Sequence, residues 1–170
     1  MNRRVLAVVG VALLVATGWG VRALGDPRAR EARRVEKRVT ALAEAVSFSE
    51  KDNPFLRLGY AERVAGFFGS VTDLAITLGS REAHASLTHQ ELKDRAVALR
   101  AAARGLSVQF LDLDVNLNPG LDEATVHLTS KIYFTGEPDY SIQEFRLRLT
   151  RPPDQPSWQV RGIETVRTME

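Results

Sequence analysis

Four stretches in the C-terminal third of the chain alternate apolar and polar residues. In 107–117, Leu111, Leu113, Val115 and Leu117 share one phase, and Asp112, Asp114 and Asn116 the other. In 123–134, Ala124, Val126, Leu128, Ile132 and Phe134 oppose Thr125, His127, Thr129, Lys131 and Tyr133. In 140–150, Phe145, Leu147 and Leu149 oppose Glu144, Arg146 and Arg148; in 157–168, Trp158, Val160 and Val166 oppose Gln159, Arg161, Thr165 and Arg167. A period of two marks half-buried strands. The breaks between them, Asn118-Pro119-Gly120, Thr135-Gly136-Glu137-Pro138-Asp139 and Pro152-Pro153-Asp154-Gln155-Pro156, carry turn chemistry. The pattern predicts an antiparallel meander with one dry and one wet face. The dry face needs a cover, which the upstream helices supply.

Upstream the period changes. Asp26 as N-cap and Pro27 in the first turn open a helix over 27–47, with Ala32, Val35, Val39, Leu42 and Val46 on one stripe. Asn53-Pro54 repeats the signal for a second helix over 54–68, with Leu56, Tyr60, Val64 and Phe67 at helical spacing. Residues 71–78 alternate, Gly79-Ser80-Arg81 turns the chain, and 82–87 return as a short edge strand. Thr88 and Glu91 form a capping box for a third helix to 104, with Leu92, Ala96, Leu99 and Ala103 on one face and Gly105 at its end.

The segment Tyr60-Ala61-Glu62-Arg63-Val64-Ala65-Gly66-Phe67-Phe68 and the closing strand Trp158-Gln159-Val160-Arg161-Gly162-Ile163-Glu164-Thr165-Val166, set in this element order, resemble the nuclear-transport-factor-2-like, or cystatin-like, superfamily. The closing strand looks like that of its polyketide-cyclase-like members. The resemblance implies an α+β fold: a curved antiparallel sheet of five to six strands wrapped around three helices. It also implies a conical cavity open at one end and dimerisation through the sheet.

Residues 5–21 form a continuous apolar run behind Arg3 and Arg4. Seventeen residues at a rise of about 1.5 Å span about 25 Å, the short end of what crosses a bilayer. Two readings stand: an uncleaved signal anchor with Trp19 at the interface, or a signal peptide cut before Asp26 after Ala23-Leu24-Gly25. Residues 1–25 are thus a transmembrane or signal helix, 26–38 a charged helical stalk, and 39–170 the cone domain. The short basic start points to export, with the domain on the periplasmic side of a bacterial inner membrane. Secretion after cleavage is the alternative; so is a cytoplasmic domain, which Arg22, Arg28, Arg30, Arg33, Arg34, Lys37 and Arg38 just after the run favour.

Charge and composition narrow the chemistry. Of the 23 Lys and Arg, three lie before residue 26, leaving 20 against 21 Asp and Glu. So even a balance argues against nucleic acid as a partner. The absence of Cys removes disulfides and thiolate chemistry. His84, His89 and His127 match no metal spacing, and no cofactor motif occurs.

Enzymes of the resembled superfamily carry an acid, a Tyr or a His inside the cone. Glu164 shares the phase of Trp158, Val160 and Val166 and is the acid/base candidate, unless Gly162 hosts a bulge that turns it to solvent. Tyr60, Ser130, Gln143 and Trp158 are the ligand-binding candidates. Asp73, where the steroid isomerases carry their base, alternates out of phase with Leu74, Ile76 and Leu78. The expected function is a membrane-tethered, non-enzymatic domain that binds a protein partner or a small apolar ligand. The alternative is a small polyketide-cyclase- or isomerase-like enzyme using Glu164.

Overall fold

The first helix begins as its sequence dictates. In the computed structural model, which describes residues 26–53, 55, 59–78 and 81–166, Asp26 Oδ1 accepts the Arg28 amide at 2.9 Å and Pro27 opens helix α1, Pro27–Val46. The apolar run 5–21, the helix start at Pro54 and Leu56, and the turn at Gly79-Ser80 lie outside the described residues. A short helix α2 follows, Tyr60–Ala65, then strands β1, Phe68–Leu78, and β2, Arg81–Thr88. Helix α3, His89–Ala102, starts on the reciprocal Thr88–Glu91 capping box. The chain ends in β3, Leu106–Leu117, β4, Glu123–Phe134, β5, Ser141–Thr150, and β6, Gln159–Thr165. No helix among the described residues is long and apolar enough to cross a membrane.

The six strands form one curved, open sheet in the order β2-β1-β6-β5-β4-β3. It departs from the expected antiparallel sheet at one seam: β6 runs parallel to β1, while every other pair is antiparallel. The meander therefore closes against the first hairpin by its last strand. The inner face, with Ala124, Val126, Leu128, Leu147, Leu149 and Val160, packs against Val35, Val39 and Leu42 of α1 and Val64 of α2.

Two bulges break the expected alternation. In β3 the register shifts between Leu111 and Asp114, and Asp112 takes φ 52°. Leu106, Val108 and Phe110 then share the inner face with Leu113, Val115 and Leu117, and Leu111, expected inside, turns out. In β6 Arg148 pairs with Gly162 but Leu149 with Val160, so Arg161 is the extra residue. Gly162 leaves room beside it: a Cβ there would stand 2.8 Å from Arg148 Nε. Arg148 thereby crosses β6 to reach Asp73 on β1, at 3.3 Å.

The charged first half of α1 belongs to the domain and does not stand off as a stalk. Glu31 sits on the buried stripe at 8 % exposure. Its carboxylate accepts from Arg34 at 2.6 Å, from Arg151 at 3.1 Å and from Trp158 Nε1 at 3.3 Å. Arg38 donates to the carbonyls of Trp158 (3.0 Å) and Gly66 (2.5 Å) and lies 3.9 Å from the Phe67 ring centroid. Arg28 donates to the Leu117 carbonyl at 2.5 Å.

A buried carboxylate this well partnered is costly to disturb. Glu31→Gln is expected to lower unfolding free energy by about 1–3 kcal/mol in urea titration, whereas exposed Glu36→Gln stays within about 0.5 kcal/mol.

Candidate functional site

The bulge at Arg161 decides where the acid goes. Past it, Ile163 and Thr165 take the inner phase, opposite Leu147 and Phe145. Glu164 pairs with Arg146 on the outer face, where its side chain is 46 % exposed and its Oε1 lies 3.1 Å from Arg146 Nη1. Glu164 is thus outside the cone, as the alternative of a bulge at Gly162 required, and it shares a shallow outer depression of about 350 Å³ with Asp73, His84, Ser86 and Arg148. Asp73 is outside as its phase required, accepting from Ser86 Oγ at 2.7 Å.

The remaining candidates are inside or at the rim, and most are held by the fold. Tyr60 is buried at the C-terminal end of α1. Its hydroxyl donates to the Val46 carbonyl at 2.8 Å, and its ring meets Phe48 edge-on at 5.2 Å. Burial pushes its phenol up to about 12, against the pull of Arg100 and Arg63. Trp158 is buried with its indole N–H on Glu31. Ser130 and Gln143 are direct cross-strand partners on β4 and β5. Ser130 is fully buried; Gln143 donates to the carbonyls of Glu144 and Val166 at 3.3 and 3.4 Å.

The histidines do not converge. His84 lies on the outer face of β2, His127 on that of β4, and His89 opens α3 near Glu62, at 3.9 Å. No group of three metal-ligating side chains forms among the described residues.

Two grooves flank the C-terminal end of α3. One, of about 480 Å³, is lined by Phe48, Tyr60, Ala61, Val97 and Arg100 among others. Arg100 pairs with Asp52 at 3.1 Å, its guanidinium 4.8 and 4.9 Å from the Phe48 and Tyr60 centroids. The other, of about 510 Å³, runs between Leu99 and Phe134 to Gly136. Sequence periodicity gives no sign of these grooves, because they arise where segments distant in the chain meet.

A different feature stands on the outer face of β3, β4 and β5. Leu111 (43 % exposed), Tyr133, Tyr140 (54 %) and Ile142 (59 %) are large exposed apolar side chains there, with Leu111 opposite Thr129 and Tyr133 opposite Ser107. Ile142 is opposite Lys131, whose Nζ lies 4.1 Å from the Tyr140 centroid.

No protein-family model matches the chain, and no curated protein does. Solved structures do. A proposed dehydratase of the NTF2-like family from Streptomyces avermitilis superimposes with a TM-score of 0.60 at 16% identity, covering 83% of this chain and 98% of that one. A proposed aromatic ring hydroxylase from Novosphingobium aromaticivorans gives 0.63 at 12% identity, covering 83% and 91%. A domain of unknown function with a cystatin-like fold from Nostoc punctiforme gives 0.56 at 16% identity, covering 85% and 80%. At such identities the likeness establishes the fold.

The Tyr60 hydroxyl is a structural bond, and its raised pKa has a sign. The stability this group contributes does not vary with pH below about 10, and it is lost as pH rises from about 10 to about 12, where the folded phenol ionises. Absorbance titration should show a tyrosine phase near 12 that Tyr60→Phe removes. The same variant should lose about 1 kcal/mol of stability at neutral pH.

Proposed function

From this nuclear-transport-factor-2-like, cystatin-like cone we propose a membrane-tethered, non-catalytic domain that holds a protein partner on the outer face of its sheet. The observation that carries the reading is the exposure of Leu111, Tyr133, Tyr140 and Ile142 on one sheet face. They come from three neighbouring strands and the turn before β5, and aromatic residues on such a face suit recognition.

The placement of the polar candidates supports a binding role over a catalytic one. General acid–base chemistry in a cone needs a titratable group facing the cavity. Glu164 faces the other way, and Tyr60 and Trp158 are committed to the Val46 carbonyl and to Glu31. The partner is a second copy of the chain or a different protein; both fit a face that mixes aromatic residues with Arg146, Arg148 and Lys131. The tether is the apolar run 5–21, whose composition suits a bilayer.

The full chain is expected to sediment with membranes and to resist carbonate extraction. In mild detergent it should run above monomer mass, as a homodimer or with one stoichiometric partner. Ile142→Asp should weaken that association by roughly thirty-fold or more, the loss typical of a buried anchor, with an unchanged thermal melt. A wild-type chain that is strictly monomeric and partnerless contradicts the binding reading; carbonate release of the uncut chain contradicts the tether. Protease added to spheroplasts reports the side, since cleavage means an exported domain.

A further inference from the structure

Helix α1 carries cations on two faces with different fates. The inner cations are spent on the fold: Arg28 on the Leu117 carbonyl, Arg38 on Trp158 and Gly66. The outer ones, Arg34 in part excepted, are not. Arg30, Arg33 and Lys37 are exposed and make no ion pair with a described residue, and Arg34 gives one nitrogen to Glu31 while staying 66% exposed. At about 100° per residue these four fall within about 100° of arc, one stripe along two turns. Glu36 lies to one side of it, and Asp26 and Glu44 beyond its ends.

A charged stripe alone is an ordinary solvated face. Here a second feature points to its occupant. The apolar run ends at Val21, five Cα steps before Asp26, so α1 starts no more than about 18 Å from the end of that run. The tether is therefore short enough to let the stripe reach the bilayer surface, where contact with anionic headgroups attracts Lys and Arg by roughly five-fold per cation.

We infer that Arg30, Arg33, Arg34 and Lys37 form a docking stripe for the anionic headgroups of the membrane that anchors the chain. The helix lies along the surface with the stripe down. Its opposite side, Val35, Val39 and Leu42, is buried against the inner face of the sheet. The outer face, with Leu111 and Ile142, then points away from the bilayer and is open to a partner. This rests on the tether reading and adds an orientation to it.

The absence of Cys makes the test clean. A quenchable fluorophore is placed on Thr40→Cys, one turn beyond Lys37, and separately on exposed Ser107→Cys on the outer sheet face as control. The full chain is reconstituted into vesicles of phosphatidylcholine alone or with one third phosphatidylglycerol, each with a headgroup-bound quencher. Strong quenching at position 40 and weak quenching at 107 are expected, only with phosphatidylglycerol and lost in high salt, where screening shortens to a few ångströms. Arg30→Gln/Arg33→Gln/Lys37→Gln, all at exposed positions, should lower the docked-to-free ratio roughly hundred-fold. Equal quenching in both vesicles, or no effect of the triple variant, overturns the stripe. A chain that does not insert overturns the tether instead. Flotation with preformed phosphatidylglycerol vesicles then tests the stripe alone: salt-sensitive association retains it, and no association overturns it.

Discussion

The fold depends on the buried carboxylate of Glu31. It lies where α1, the connection after β5 and the start of β6 converge, and it takes Arg34, Arg151 and the Trp158 indole as partners. An unpartnered charge at that depth is strongly unfavourable, so these segments must come together as a unit. Arg151 also donates to the Leu121 carbonyl at 3.1 Å and stacks 5.7 Å from the Trp158 centroid. The polar clasp thus fixes the helix across the sheet, and the aliphatic stripe of Val35, Val39 and Leu42 fills the space beneath it. Trp158, the most conspicuous aromatic of the last strand, serves this clasp.

Much of this was legible in the chain. Period-two runs gave the strands of the meander, the Thr88–Glu91 box gave the start of α3, and Asp26-Pro27 gave that of α1. Single-residue insertions were the hard part: the one in β3 escaped, and the one in β6 was the alternative that Gly162 raised. In β3 the adjacent apolar residues Phe110 and Leu111 left the phase ambiguous; the following Asp112, a residue that tolerates positive φ, was the trace of the bulge. In β6 the three-residue step from Val160 to Ile163, with Gly162 inside it, signalled the same event. Each bulge flips every later side chain, so that single inserted residue decides the face of Glu164. The parallel seam of β1 and β6 left no local signal, because strand order is set by long-range packing. Glu31 was readable in hindsight: it sits four residues before Val35 and eight before Val39, on the apolar stripe, so a helix bearing it is clasped and does not stand free.

In the proposed reading the molecule has two working sides and a structural interior. Tyr60, Trp158 and Ser130 are consumed by packing and hydrogen bonding within the cone. The helical side offers cations that the fold leaves unused. The sheet side carries the exposed Leu111, Tyr133, Tyr140 and Ile142 and, elsewhere on the same face, the ion pairs Asp73–Arg148 and Glu164–Arg146. In that reading, a domain fixed by its helix and presenting its sheet gains recognition without needing a catalytic group.

The central claim is that the outer sheet face is covered when the protein is at work. Hydroxyl-radical footprinting of the full chain in native membranes, set against the purified monomer, tests this at single side chains. The account requires Leu111, Tyr133, Tyr140 and Ile142 to be protected in membranes and modified in the monomer, with Val97 on the helical side equally reactive in both. Equal modification of those four residues in the two preparations would contradict it.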